Sequence, residues 1–173
     1  PSQSVIEHYI NHGRRRTAAY EAESDGKGRE VFVQRAAVLD EAGHQCEAFR
    51  HDALVTVRVE CSINQRIRGT ELRMVIRDSR GITVFTADAD IASLPDRADA
   101  FAAEFRIPPT FLRPNIYSVT LALFVAHQHI FELLEDVSSF SVFDGGTKYA
   151  QSEGADYGLV FSPCETTVER IDR

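Results

Sequence analysis

Through most of residues 49–143 apolar and polar positions alternate one for one, the period of strands with one buried face. The longest clean stretch follows a crossing that carries Pro108, Pro109 and Pro114. There Tyr117, Val119, Leu121 and Leu123 fall on one side, and Ser118, Thr120, Ala122 and Phe124 on the other. The same pattern predicts a first strand over 31–40, turned by Asp40 to Gly43, and a second over 54–62 with Val55, Val57, Val59 and Cys61 on one face. A third is expected over 71–78 with Leu72, Met74 and Ile76 inward. Asp78-Ser-Arg-Gly81 then reads as a hairpin turn, because glycine supplies the positive φ such a loop needs. The turn leads to a fourth strand near 82–87. The fifth spans 100–107, with Phe101, Ala103, Phe105 and Ile107 alternating. The sixth spans 116–125, and the seventh 137–143 with Phe140 and Val142 inward.

These short strands, separated by turn signals, predict an all-β sandwich, immunoglobulin-like or jelly-roll, of about seven to eight antiparallel strands. Gly158-Leu-Val-Phe161 is a last short apolar run after a polar, glycine-containing spacer, free to add to its own sheet or to a neighbour's. At the other end Val5, Ile6, Tyr9 and Ile10 have the spacing of a short amphipathic helical arm. Arg14, Arg15 and Arg16 follow and read as a solvated charge run. Residues 1–30 are thus expected to be a linker, 31–161 the sandwich and 162–173 a tail. The chain starts at Pro1, as an excised piece or processed product would.

Composition narrows the function classes. A net charge of −7 over 173 residues argues against nucleic acid and against an anionic membrane surface as partners. No apolar run reaches the length of a membrane span and no charged-then-apolar leader is visible, so a cytoplasmic location is expected. Cys46, Cys61 and Cys164 are widely spaced and odd in number, which predicts reduced thiols, neither a disulfide framework nor a zinc site.

Catalytic chemistry is hard to find. No phosphate-binding glycine loop, dinucleotide fingerprint or nucleophile elbow is present, so no catalytic residue is assigned and no cofactor is expected. His127-Gln-His129 could place two imidazoles on one side of a strand, as in a cupin-like metalloenzyme. Glu132 and Glu135 lack the spacing of that motif, and its glycine is missing, so no metal ligand is assigned. Glu132, Glu135 and Asp136 lie too close in sequence for a glycosidase pair, whose members come from separate elements across a cleft.

The outward positions of the third, sixth and seventh strands are more informative. If these strands share a sheet, its outer face carries Arg73, Val75, Arg77, Thr120, Ala122, Phe124, Ser141 and Phe143. Hydroxyls, aromatic rings and guanidinium forks together suit a sugar, whose polar groups and C–H faces need different partners. Arginine can also hold a phosphate or carboxylate bidentately. The candidate carbohydrate-binding residues are therefore Arg73, Arg77, Thr120, Phe124, Ser141 and Phe143. The competing expectation is a face buried against another element or a second subunit.

The ordered set Val38-Leu-Asp40 with Gly43, Phe49 to Val57, Met74 to Gly81, Phe105 to Pro108, Leu112 to Leu121 and Leu134 to Val142 resembles the C-terminal carbohydrate-binding domain of Wzt-type proteins. Those are the ATP-binding subunits of bacterial ABC transporters that export O-antigen and related polysaccharides. The resemblance covers about residues 31–161. It implies an immunoglobulin-like sandwich on the cytoplasmic side of the inner membrane, behind a nucleotide-binding domain and next to a membrane permease. It implies recognition of the finished end of a lipid-linked glycan, and a homodimer formed by exchange of a C-terminal strand, for which Gly158 to Phe161 is placed. Family members often end the last strand near a Trp, and this chain has none. A structural dimerisation module and a cupin-like enzyme are the alternatives.

Overall fold

The computed structural model describes residues 17–23, 26–91, 94, 98–146 and 158–161. They form nine strands: β1 (Ala19–Glu21), β2 (Val31–Leu39), β3 (Ala48–Arg50), β4 (Val55–Ile63), β5 (Thr70–Asp78), β6 (Thr83–Asp90), β7 (Ala100–Ile107), β8 (Asn115–Val125) and β9 (His129–Phe143). One sheet has the order β1-β2-β4-β7 and the other β3-β9-β8-β5-β6. Their inner faces make one core. Val55, Val57, Val59 and Cys61 from the first sheet meet Leu72, Met74, Ile76, Tyr117, Val119, Leu121 and Leu123 from the second, all buried. These are the inward positions that alternation predicts, so the two-layer arrangement follows from burying one side of every long strand.

Three features correct the expected strand list. β1 and β3 are additional short strands, and β1 lies in the stretch read as linker. β3 is parallel to β9, with Phe49 opposite Val142, so the sandwich is not wholly antiparallel. β9 starts at His129, eight residues before the expected 137, and forms a hairpin with β8 in place of a long acidic loop. Two register shifts hid it, between Val119 and Leu121 and between Leu123 and Phe124 of β8. The shift at Leu123 and Phe124 adds one residue on β9 and inverts its alternation there, while the shift at Val119 and Leu121 adds two and interrupts the ladder without changing parity, so no single parity runs through 129–143. The proposed helical arm over 5–12 lies outside the described residues.

The edges are tied locally. Thr17 O accepts the Ser139 amide of β9 at 3.0 Å, and Ala18 O accepts the Val38 amide of β2 at 2.8 Å. The chain therefore steps from one sheet to the other at its first described residues. In β2 a bulge between Val33 and Arg35 moves the inward set from Val31 and Val33 to Ala36 and Val38.

Two buried polar groups hold the end of the sheet where β8 begins. The Tyr117 hydroxyl donates to Arg113 O, four residues upstream, at 2.7 Å. Its ring stacks on Phe140 at 5.6 Å. This tyrosine-corner bond is a feature of immunoglobulin-type sandwiches. Burial, together with the nearby Asp78 carboxylate, pushes the phenol up from its ordinary pKa. Asp78 builds the β5–β6 turn that its sequence promised. Its Oδ1 accepts the amides of Arg80 and Ile82, and its Oδ2 accepts Arg80 Nε, each at 2.9 Å.

The Asp78 side chain is only 1% exposed. Burial alone would raise its pKa, but the Ile82 amide and the Arg80 guanidinium and amide outweigh it and hold the carboxyl below its ordinary value. The stability Asp78 contributes is therefore complete above the unfolded carboxylate value of about 3.9. It is lost as pH falls from there through the lowered folded value. Asp78→Asn is expected to flatten this acid limb in urea titrations across pH. An unchanged limb would show that other carboxylates set it.

Candidate functional site

Strands β9, β8 and β5 are neighbours, so their outward side chains share one face. Register orders them. Glu71 lies opposite Phe124, Arg73 opposite Ala122, Val75 opposite Thr120 and Arg77 opposite Ser118. Across the other seam Phe124 faces Ile130 and Ala122 faces Leu133.

The sequence-predicted residues divide into three places. Arg73 and Phe124 are together at the hairpin end of the sheet, where the guanidinium lies 4.8 Å from the ring centroid. Arg77 and Thr120 are together at the middle. Ser141 and Phe143 are at the far end, beside β3. Nine residues of β8 separate Phe124 from Asn115 at that end, about 30 Å at the rise of a strand. No single monosaccharide spans all six residues.

Local chemistry separates them further. Arg73 donates through Nε and Nη2 to both oxygens of Asp88, the residue opposite it on β6, at 2.7 and 2.9 Å. The Asp88 hydrogen bonds raise the Arg73 pKa, and the Arg73 hydrogen bonds lower that of Asp88. Thr120 is 2% exposed. Its Oγ1 accepts Arg77 Nη1 and the Asp136 amide, both at 3.2 Å, so the hydroxyl positions Arg77 and the β9 bulge and is not turned to solvent. Arg77 also lies 3.8 Å from Glu135. The Ser141 hydroxyl donates to Glu47 O at 3.1 Å, while Phe143 is half exposed.

The hairpin end is concave. A shallow groove of about 590 Å³ is bounded by Glu71, Arg73, Ala122, Phe124 and the turn Val125 to Ile130. Its size falls in the range of small-ligand sites. The turn residues were missed in the sequence because Ala126-His-Gln-His129 has no glycine or proline marker. His127 itself takes φ 60°, a conformation histidine tolerates better than most residues, and the Gln128 amide closes the turn on Val125 O at 3.0 Å. A second recess of about 640 Å³ lies between the sheet ends, walled by Val31, Ile63, Ile67 and Ile91 with Arg66 and Arg68. Arg66 clasps Leu94 O there at 2.8 Å.

The acids considered for catalysis have other work. Glu132 reaches into the seam between the sheets, where Oε2 accepts the Val33 amide at the β2 bulge and Oε1 accepts Arg29 Nη1, both at 2.7 Å. Glu132→Ala would strand the amide of Val33, and should destabilise the fold by about 2 kcal/mol. Glu132→Gln keeps an acceptor and should cost about half as much, since Arg29 is 46% exposed and its ion pair is well solvated. Equal losses in thermal or urea unfolding would contradict this division. Among the described residues no group of His, Cys, Asp and Glu is placed to hold a metal ion. Burial pushes the Cys61 thiol up, which keeps it an unreactive core residue.

Gly158 to Phe161 docks on its own chain. Val160 bridges Leu112, the Phe161 amide donates to Phe111 O at 2.9 Å, and Arg113 Nε donates to Val160 O at 3.0 Å. No helix among the described residues is long and apolar enough to cross a membrane.

Together these describe a two-sheet β-sandwich with a groove on the outer face of its larger sheet. The sequence profile of the Wzt C-terminal domain matches residues 23–160, and the chain belongs to that family, the C-terminal domain of ABC transporters for polysaccharide export. The crystal structure of the C-terminal domain of Wzt superposes with a TM-score of 0.62 at 10% identity, over 87% of this chain and 91% of that one. At that identity the likeness concerns the fold. A β-glucuronidase of Bifidobacterium dentium complexed with coumarin-3-O-glucuronide aligns at 21% identity and TM-score 0.43, over 66% of this chain and 18% of that one. Bacteroides uniformis β-glucuronidase 2, as a calcium-binding mutant, aligns at 18% identity and TM-score 0.36, over 68% and 13%. Neither likeness extends to function. No curated protein matches the chain by sequence.

Proposed function

We propose that this domain is a non-catalytic recognition module that binds the terminal part of a lipid-linked O-antigen or related polysaccharide and couples chain completion to export. The observation that carries this reading is the groove between Arg73 and Ile130, a concave part of the face that its sequence marked for sugar contact. A shallow site gains little apolar burial, so affinity is weak and selectivity comes from fit. Two copies would raise avidity.

In this reading the residues before β1 connect to a nucleotide-binding domain, the permease is the membrane partner, and the domain works at the cytoplasmic face of the inner membrane. The Phe111 to Arg113 segment that receives Val160 would accept the same segment from a second copy, giving a homodimer by strand exchange.

The test is calorimetry with the O-polysaccharide of the source organism. Ala122→Tyr fills the groove from its floor and should abolish binding while leaving the urea midpoint nearly unchanged. Retained binding would remove the groove from the account. A structural dimerisation module draws on the exposure of Ile130 at 61%, Leu133 at 54% and Phe143 at 49%. It predicts instead that Ala122→Tyr yields monomers, read by light scattering, with no glycan effect in either form.

A further inference from the structure

The groove has a charge character that the sequence did not suggest. Arg73 and Arg77 are the residues that would hold a phosphate or carboxylate, and the structure gives both to acids of the chain itself. Arg73 spends its two-pronged edge on Asp88 and lays its flat face over Phe124. Arg77 is turned to Thr120 and Glu135. Glu71 adds a carboxylate to the rim. With Asp88 cancelling Arg73, the balance at the groove is negative, on a chain whose net charge is already −7. An anionic sugar meets repulsion there and finds no uncommitted guanidinium fork.

The walls are also more apolar than a typical sugar site. Ala122 and Phe124 form the floor, and Ile130 stands opposite Phe124 with most of its surface in solvent. Because Arg73 covers one face of Phe124, the ring offers its remaining surface as an apolar edge. A primary hydroxyl set between Phe124 and Ile130 would lose water without gaining a partner, whereas a methyl group there would gain burial. Gln128, His127 and His129 supply donors and acceptors at the rim for ring hydroxyls.

Resting on the recognition role proposed above, we infer that the groove takes a neutral terminal sugar of the 6-deoxyhexose class, with its methyl edge against Phe124 and Ile130, and excludes sugars that carry a carboxylate or phosphate. Asp88 is then a specificity-determining residue, since it removes the charge that would attract an anion.

The experiment is an NMR titration of the isotope-labelled full chain with methyl α-D-rhamnoside, methyl α-D-mannoside (the same ring with a primary hydroxyl in place of a methyl hydrogen) and methyl β-D-glucuronide, beside the source polysaccharide. The rhamnoside should move the amides of Ala122, Phe124 and Ile130 and bind roughly fourfold more tightly than the mannoside, the worth of one buried methyl. The glucuronide should leave those amides unmoved. Asp88→Asn should then admit the glucuronide at the same amides. The inference is overturned if the glucuronide or mannoside binds the parent chain as well as the rhamnoside does, or if Asp88→Asn gains no glucuronide binding. If the polysaccharide moves the groove and no small probe does, the sugar class is wrong and the recognition role stands. If the polysaccharide moves nothing either, the recognition role falls with it.

Discussion

Leu121→Ala is expected to lower the free energy of unfolding by about 3 kcal/mol, the largest effect on stability foreseen for a single truncation here. Leu121 is fully buried at the centre of β8, between Met74 of β5 and Leu134 of β9. Neighbours on both flanking strands are fixed by ladder hydrogen bonds, so they collapse poorly into the space left behind. The loss is then the transfer term plus a cavity term. Domains of this size are stable by about 5–15 kcal/mol, so the variant should remain folded but with a clearly lower urea midpoint at unchanged slope. Val75→Ala, on the outer side of β5, should cost well under half as much. Equal losses at the two positions would mean that the inner and outer faces of the larger sheet have been assigned the wrong way round.

Phe124→Ala is expected to weaken glycan binding roughly tenfold or more, the scale at which a few contacts dominate a small site. The truncation removes the floor of the groove and also the ring on which Arg73 rests. Phe124 is only half buried, so the unfolding free energy should fall by about 1 kcal/mol. Calorimetry against the source polysaccharide reads the first effect and urea unfolding the second. Arg77→Ala and Phe143→Ala serve as contrasts. Arg77 is turned to Thr120 and Glu135, and Phe143 lies at the far end of the sheet. Each should change affinity less than threefold, about 0.6 kcal/mol. If all three variants lose binding equally, the glycan lies along the whole face and the groove is not its centre.

The core was largely legible because alternation and burial obey the same period. Val55 to Cys61, Leu72 to Ile76 and Tyr117 to Leu123 face inward as their spacing requires. Asp78 and Gly81 announced their turn through chemistry that few other residues supply. The start of β9 was not legible. Bulges on β8 and β9 break the period, and a turn made by His127 carries no standard marker.

The site was legible in part. Parity put Arg73 and Phe124 on one face, and register brings them into contact. Parity could not show that Thr120 is buried under Arg77, or that Ser141 is about 30 Å away along the strand. Nor could it show that Asp88 neutralises Arg73, because cross-strand pairing depends on a register that only the folded sheet defines. Glu132 reads in the sequence as neither a metal ligand nor a catalytic acid. It proves to be the acceptor for an amide that the β2 bulge leaves without a ladder partner.

The most direct test of the central claim is a titration of the full chain with the O-polysaccharide of its source organism, followed by amide shifts, with an unrelated glycan as control. The account predicts saturable, selective shifts confined to Glu71, Arg73, Ala122, Phe124 and the Val125 to Ile130 turn. A well-folded protein that shows no shifts at millimolar glycan, or shifts confined to the Ser141 and Phe143 end, would contradict it.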